Sequence, residues 1–195
     1  MPDPIFFSLH PLRRIVTAHD NNGNSIIQSD TELPSEVGAS LHAVYGLLIR
    51  LQEMRQVNGA QSASIWVTTD SIPTGDNNRS DDGGKRGIDN PSNLDLVHPT
   101  GTNLRSTDLA PRAITPMHRT CSLDYNILVL GEVILINEDG TEKHLKNPGD
   151  VVIQKGTMHA WRNPSEEKWA RWITVLIAAD PVLVDGKLLD PEFLH

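Results

Sequence analysis

The sequence has little cysteine and no long apolar run. A single thiol, Cys121, leaves no intramolecular disulfide to form. No stretch approaches the roughly 18 consecutive apolar residues of a membrane helix, so a membrane-spanning helical protein is excluded. The opening segment MPDPIFFSLHPLRR lacks the charged start and long apolar run of a secretion signal, and the expectation that follows is a cytoplasmic location. Clustered basic residues are also missing. The formal net charge is −8 and the lysines and arginines are scattered, which argues against a nucleic-acid partner, because such binding draws its affinity from concentrated positive charge.

The 195 residues suit one structural domain, with 38% apolar residues gathered into short Val-, Ile-, Leu- and Trp-rich runs between polar loops. RRIVTAHD, NNGN and SIIQSD read as strand, tight turn and strand, an N-terminal β-hairpin with Asn21 to Asn24 supplying positive-φ residues. Leu41, Val44, Leu48, Leu51 and Met54 fall near helical spacing, with Ser40 as N-cap and Asn58-Gly59 as stop, so an amphipathic helix is expected over 41–57. Strand composition returns at Ala63 to Thr69. Pro73 to Pro91 then forms a long polar loop, which should be mobile or border a site.

From Asn103 onward, short strands punctuated by Glu138-Asp139-Gly140 and Asn147-Pro148-Gly149-Asp150 recur at near-regular spacing, the pattern of a sandwich or barrel. The expected division is a β-arm and helix over 1–62 packed on a barrel over 63–195.

Side chains two apart on a strand share a face, so His118, Thr120, Ser122 and Asp124 form one polar row, while Arg119, Cys121, Leu123 and Tyr125 point the other way. Further on, Gly149-Asp150 leads into VVIQK, Gly156 turns the chain, and His159 heads a strand carrying Trp161 and Asn163. A histidine in a barrel is most often a core or surface residue, and a carboxylate such as Asp124 often only bonds arginine or backbone. The shared parity of these side chains across two glycine-bracketed segments points instead to a common site.

These paired segments resemble the two motifs of the cupin superfamily. His118, Thr120, Asp124 and Gly131 stand where the first motif has two histidines, a glutamate and a glycine, and Gly156, His159 and Asn163 match the end of the second. The resemblance implies an all-β, cupin-type antiparallel barrel (jelly roll), here with an added N-terminal hairpin and one inserted helix, and a homodimer. The strings PMHRTCSLDYNILVLGEV and GDVVIQKGTMHAWRNPS are similar to small fungal and bacterial single-cupin proteins labelled oxidoreductases, some found among polyketide-tailoring enzymes. The implied function is tailoring of a small polyketide-like or aromatic molecule in secondary metabolism.

Two of the metal-ligating positions depart from the family pattern. The second histidine is Thr120 and the glutamate is the shorter Asp124, which leaves two imidazoles and one carboxylate. His118, Asp124 and His159 are the expected catalytic residues, and as a reduced ligand set they would hold Fe(II) or Zn(II) for oxidoreductase chemistry. The same three side chains without metal would serve acid–base chemistry of a lyase, dehydratase, decarboxylase or cyclase. A third reading is a cupin that binds a small ligand without converting it. Thr120, Ser122, Gln154 and Trp161 are expected to contact substrate, although Thr120, Ser122 and Trp161 equally suit packing. No nucleotide cofactor is expected.

Overall fold

In the computed structural model, residues 9–33 and 59–194 are described. The helix expected over 41–57 lies outside them. Hydrophobic alternation and turn residues resolve into fourteen strands among the described residues. These are β1 (Leu12–His19), β2 (Ser25–Leu33), β3 (Ala60–Thr68), β4 (Thr102–Leu109), β5 (His118–Arg119), β6 (Ser122–Leu130), β7 (Val133–Asn137), β8 (Glu142–Leu145), β9 (Val151–Lys155), β10 (His159–Arg162), β11 (Ala170–Ala178), β12 (Val182–Val184), β13 (Lys187–Leu189) and β14 (Glu192–Phe193). No helix among the described residues is long and apolar enough to cross a membrane.

Two five-stranded antiparallel sheets carry the fold, in the orders β3-β4-β11-β6-β9 and β14-β5-β10-β7-β8. Consecutive segments alternate between them: β5 and β6, then β9 and β10, then β10 and β11 change sheet. This is the jelly-roll habit of closing a barrel from two β layers. β3 starts at Ala60, so the boundary expected after residue 62 falls inside a strand paired with β4.

The period-two pattern fixes which face looks inward. In β6, Ser122, Asp124, Asn126 and Leu128 are buried and Tyr125 and Val129 are exposed. The apolar core comprises Leu109, Leu128, Val133, Leu135, Leu145, Trp161, Ala170 and Trp172. The Trp161 ring on one sheet meets the Trp172 ring on the other at 5.5 Å between centroids, joining the layers.

β1 and β2 pair as the expected hairpin, with Gly23 alone in its turn at positive φ. Arg14 ties the hairpin to the barrel through the Ile65 carbonyl (3.1 Å) and the Asp82 carboxylate (2.6 Å). The polar segment after Pro73, expected to be mobile or to border a site, has a defined packing among the described residues. Its short 3-10 turns pack on the outer face of β3, where the Trp66 indole donates to Asp76 (2.6 Å) and Arg86 pairs with Asp76 and Asp81 while lying over Trp66. Its opposite charges and glycines neutralise and seat one another against an aromatic ring, a pairing that composition alone does not reveal.

Candidate functional site

β5 and β10 are adjacent and antiparallel, and the register sets His118 directly opposite His159. The two rings lie 4.3 Å apart between centroids, tilted by 49°. The Nδ1 of His118 is 3.0 Å from the Pro116 carbonyl oxygen, and that of His159 is 2.9 Å from the Thr157 carbonyl oxygen. A carbonyl oxygen only accepts, so each Nδ1 carries the proton and donates it. Each neutral ring therefore presents a bare Nε2 lone pair.

The chain then crosses to the other sheet. Thr120 and Ser122 are buried with their hydroxyls 2.9 Å apart, and Asp124 follows on β6, 5% exposed. Gln154 stands across from Asp124 on β9, its amide donating to the Thr157 hydroxyl at 2.9 Å. Asp124 Oδ1 and Gln154 Oε1 are buried without a hydrogen-bond partner. Trp161 packs in the core with its ring edge toward His159, 5.9 Å between centroids. Cys121 and Tyr125 fall on the opposite parity, and the Cys121 amide donates to Asn93.

Burial governs the electrostatics. It raises the Asp124 carboxyl to about 6, against an opposing contribution from the Ser122 hydroxyl. It lowers His159 to about 3, helped by the neighbouring His118 charge and resisted by the Thr157 carbonyl. His118 is lowered for the same first reason, with the Pro116 carbonyl resisting and the Arg105 charge assisting. Two abutting imidazoles in a dry setting do not charge together, so at neutral pH both are bases without protons on Nε2.

The fold brings His118 and His159 into contact but does not gather Asp124 with them as one ligand group. Among the described residues, no three His, Cys, Asp or Glu side chains are grouped as a metal site. The three-ligand set expected from the sequence is not found as such a group, and Asp124 stands on the sheet opposite the two histidines.

Further polar side chains face the same interior and escaped the sequence reading. Cross-strand pairing puts Asn103 in the row of Asp124 and Gln154, and sets Arg105, Thr174 and Asn126 side by side in the next row. The alternation Asn103, Arg105, Thr107 within NLRSTDL was the available signal.

No protein-family model matches the chain. It is 32% identical to phomopsin biosynthesis cluster protein C' of Diaporthe leptostromiformis over 90% of this chain and 83% of that protein. It is likewise 32% identical to the cupin-domain-containing oxidoreductase srdB of Neurospora crassa, covering 91% of this chain and 79% of the relative. Among solved structures, the polyketide cyclase RemF from Streptomyces resistomycificus aligns over 71% of this chain and 72% of its own, with TM-score 0.42 and 11% identity. From the paired histidine strands, the two-sheet barrel and these shared sequences, the chain belongs to the cupin family that includes fungal cupin-domain-containing oxidoreductases and biosynthesis-cluster proteins.

Proposed function

We propose that the protein is a tailoring enzyme of secondary metabolism that moves protons on a small polyketide-like or aromatic molecule held inside the barrel. The observation that carries this reading is a barrel interior with two imidazoles bearing bare Nε2 atoms on one sheet and, on the other, a buried carboxyl whose Oδ1 has no partner. A carboxyl at about 6 is nearly matched to neutral pH, so Asp124 is the group suited both to take a proton from an acidic C–H or O–H and to return it elsewhere. The neutral imidazoles then accept hydrogen bonds from substrate hydroxyls. They orient the molecule while Thr120 and Ser122 line the path between them and Asp124. Isomerisation, dehydration and cyclisation all proceed by such transfers, without net change in electrons.

The test is deuterium exchange in D2O, followed by proton NMR on a panel of small β-dicarbonyl and aromatic carbonyl compounds. Exchange at a carbon next to a carbonyl should run at least roughly a hundredfold faster with the protein than with Asp124→Asn. Equal rates with both proteins across the panel would overturn the reading.

A second reading has its own support. Ligating histidines commonly donate their second nitrogen to a carbonyl, as both do here, and several relatives are named oxidoreductases. In that reading His118 and His159 hold Fe(II) or Zn(II), which when bound supplies Lewis-acid or redox chemistry, and Asp124 handles the accompanying proton. Elemental analysis of purified protein, repeated on His159→Gln and Asp124→Ala, separates the two readings. Retained turnover in chelator favours the first, and its loss with restoration by one ion favours the second. The homodimer and the cytoplasmic location belong to the proposal as well, and light scattering tests the former.

A further inference from the structure

Arg105 is a cation in the barrel interior that the site described so far does not use. It projects from β4 on the same face as Asn103, one row from Asp124. Its Nε and Nη2 both donate to the Ser62 hydroxyl, whose own proton goes to the Ser106 carbonyl at 2.8 Å. Ser62 therefore fixes the guanidinium without neutralising it. Among the described residues, no carboxylate forms an ion pair with Arg105, which contrasts with Arg14, Arg86 and Arg171, each paired with aspartate.

A guanidinium has five N–H donors, so Ser62 leaves three of them, including both on Nη1. These are not among the buried polar atoms lacking partners, and the residue keeps accessible surface. Yet it lies deep enough for desolvation alone to bring its pKa down to about 10. Deep placement with residual accessibility describes a group that lines a recess.

A second donor stands in the same row. Thr174, between Arg105 and Asn126 in the sheet, donates its hydroxyl proton to Asn126 Oδ1 at 2.7 Å. That bond orients the amide and leaves Asn126 Nδ2 buried without an acceptor. Ser62 stands on β3, however, so its bonds draw the guanidinium to the side of β4 away from β11 and β6, and the Asn126 amide stays remote from it. Nearby stands the His118–His159 ring pair, 4.3 Å between centroids, with His118 close enough to Arg105 to feel its charge.

We infer that Arg105, pinned by Ser62, seats the carboxylate of an organic-acid substrate whose planar body lies toward the His118–His159 ring pair. The inference rests on the reading of the barrel interior as a substrate chamber. A single unpaired cation matches a monoanion.

Tryptophan emission of the full chain, titrated with benzoate, benzamide or inorganic phosphate, tests this. Benzoate should bind saturably, with benzamide and phosphate at least roughly tenfold weaker, and Arg105→Gln should lose about tenfold or more in benzoate affinity while Arg105→Lys retains part of it. Equal binding of benzoate and benzamide by the unaltered protein overturns the inference whether or not the variants fold. Undiminished benzoate binding by a folded Arg105→Gln does the same. Benzoate-selective binding combined with exchange activity indifferent to Asp124→Asn would sink only the proton-transfer reading.

Discussion

Asp124 and His159 pull stability in opposite directions with pH, and each can be followed separately in protein freed of metal by chelator. The Asp124 carboxyl titrates at about 6 in the fold and at its ordinary 3.8 when unfolded. The unfolded chain thus loses this proton first as pH rises. The fold is favoured below about 4, loses that advantage between 4 and 6, and carries a constant penalty above, on the order of 3 kcal/mol. Asp124→Asn should raise stability at pH 7 by up to that amount and flatten this part of the profile in urea titrations from pH 4 to 8. His159 has the reverse sign. Its folded pKa of about 3 lies below its ordinary 6.5, so its contribution is complete above 6.5 and drains away as pH falls toward 3. His159→Gln should make the acid limb of the melting profile shallower, and an unchanged limb would show that another group drives acid unfolding.

At the scale of elements, the histidine pair was legible because each of the two paired segments carries one histidine, whereas the single row expected of residues 118, 120, 122 and 124 is divided, with His118 on β5 of one sheet and Ser122 and Asp124 on β6 of the other. Parity does not say which face is inside, however, and polar alternation ordinarily signals solvent. For that reason NLRSTDL looked unremarkable and Arg105 was passed over, and Asn126 went unread within the apolar run that follows Asp124. The packing of the segment after Pro73 went unread for a related reason. Its order comes from Arg86 meeting Asp76 beside Trp66, contacts between side chains that share no local pattern. The helix expected over 41–57 lies outside the described residues. The turn from that loop into β4 offers a direct check on how closely the sheet is built. A Cβ on Gly101 would sit 1.8 Å from the Thr68 carbonyl oxygen, so Gly101→Ala must push β3 from β4. A loss of about 1–3 kcal/mol is expected in chemical denaturation, with benzoate affinity weakened as Ser62 shifts relative to Arg105.

Across the whole molecule, the interior divides between two kinds of residue. Leu109, Leu128, Val133, Leu135, Leu145, Trp161 and Trp172 form a dry cluster that supplies cohesion. Trp172→Ala, which opens a void between the sheets, should cost about 3–5 kcal/mol. The remaining interior is lined by Asn103, Arg105, Asp124, Asn126, Gln154 and Thr174, several with atoms left unpartnered. Replacing the hydrogen-bonded Thr174 and Asn126 together by Val and Leu removes a buried donor and acceptor at once. That double variant should melt about 2–4 °C higher. A lower melting temperature would mean that the row serves cohesion after all. Because the polar rows sit on a frame whose cohesion comes from elsewhere, they are free to drift: a lineage can exchange Arg105 or Asn126 for new chemistry and remain folded, so related chains with nearly superimposable scaffolds can come to serve quite different metabolites.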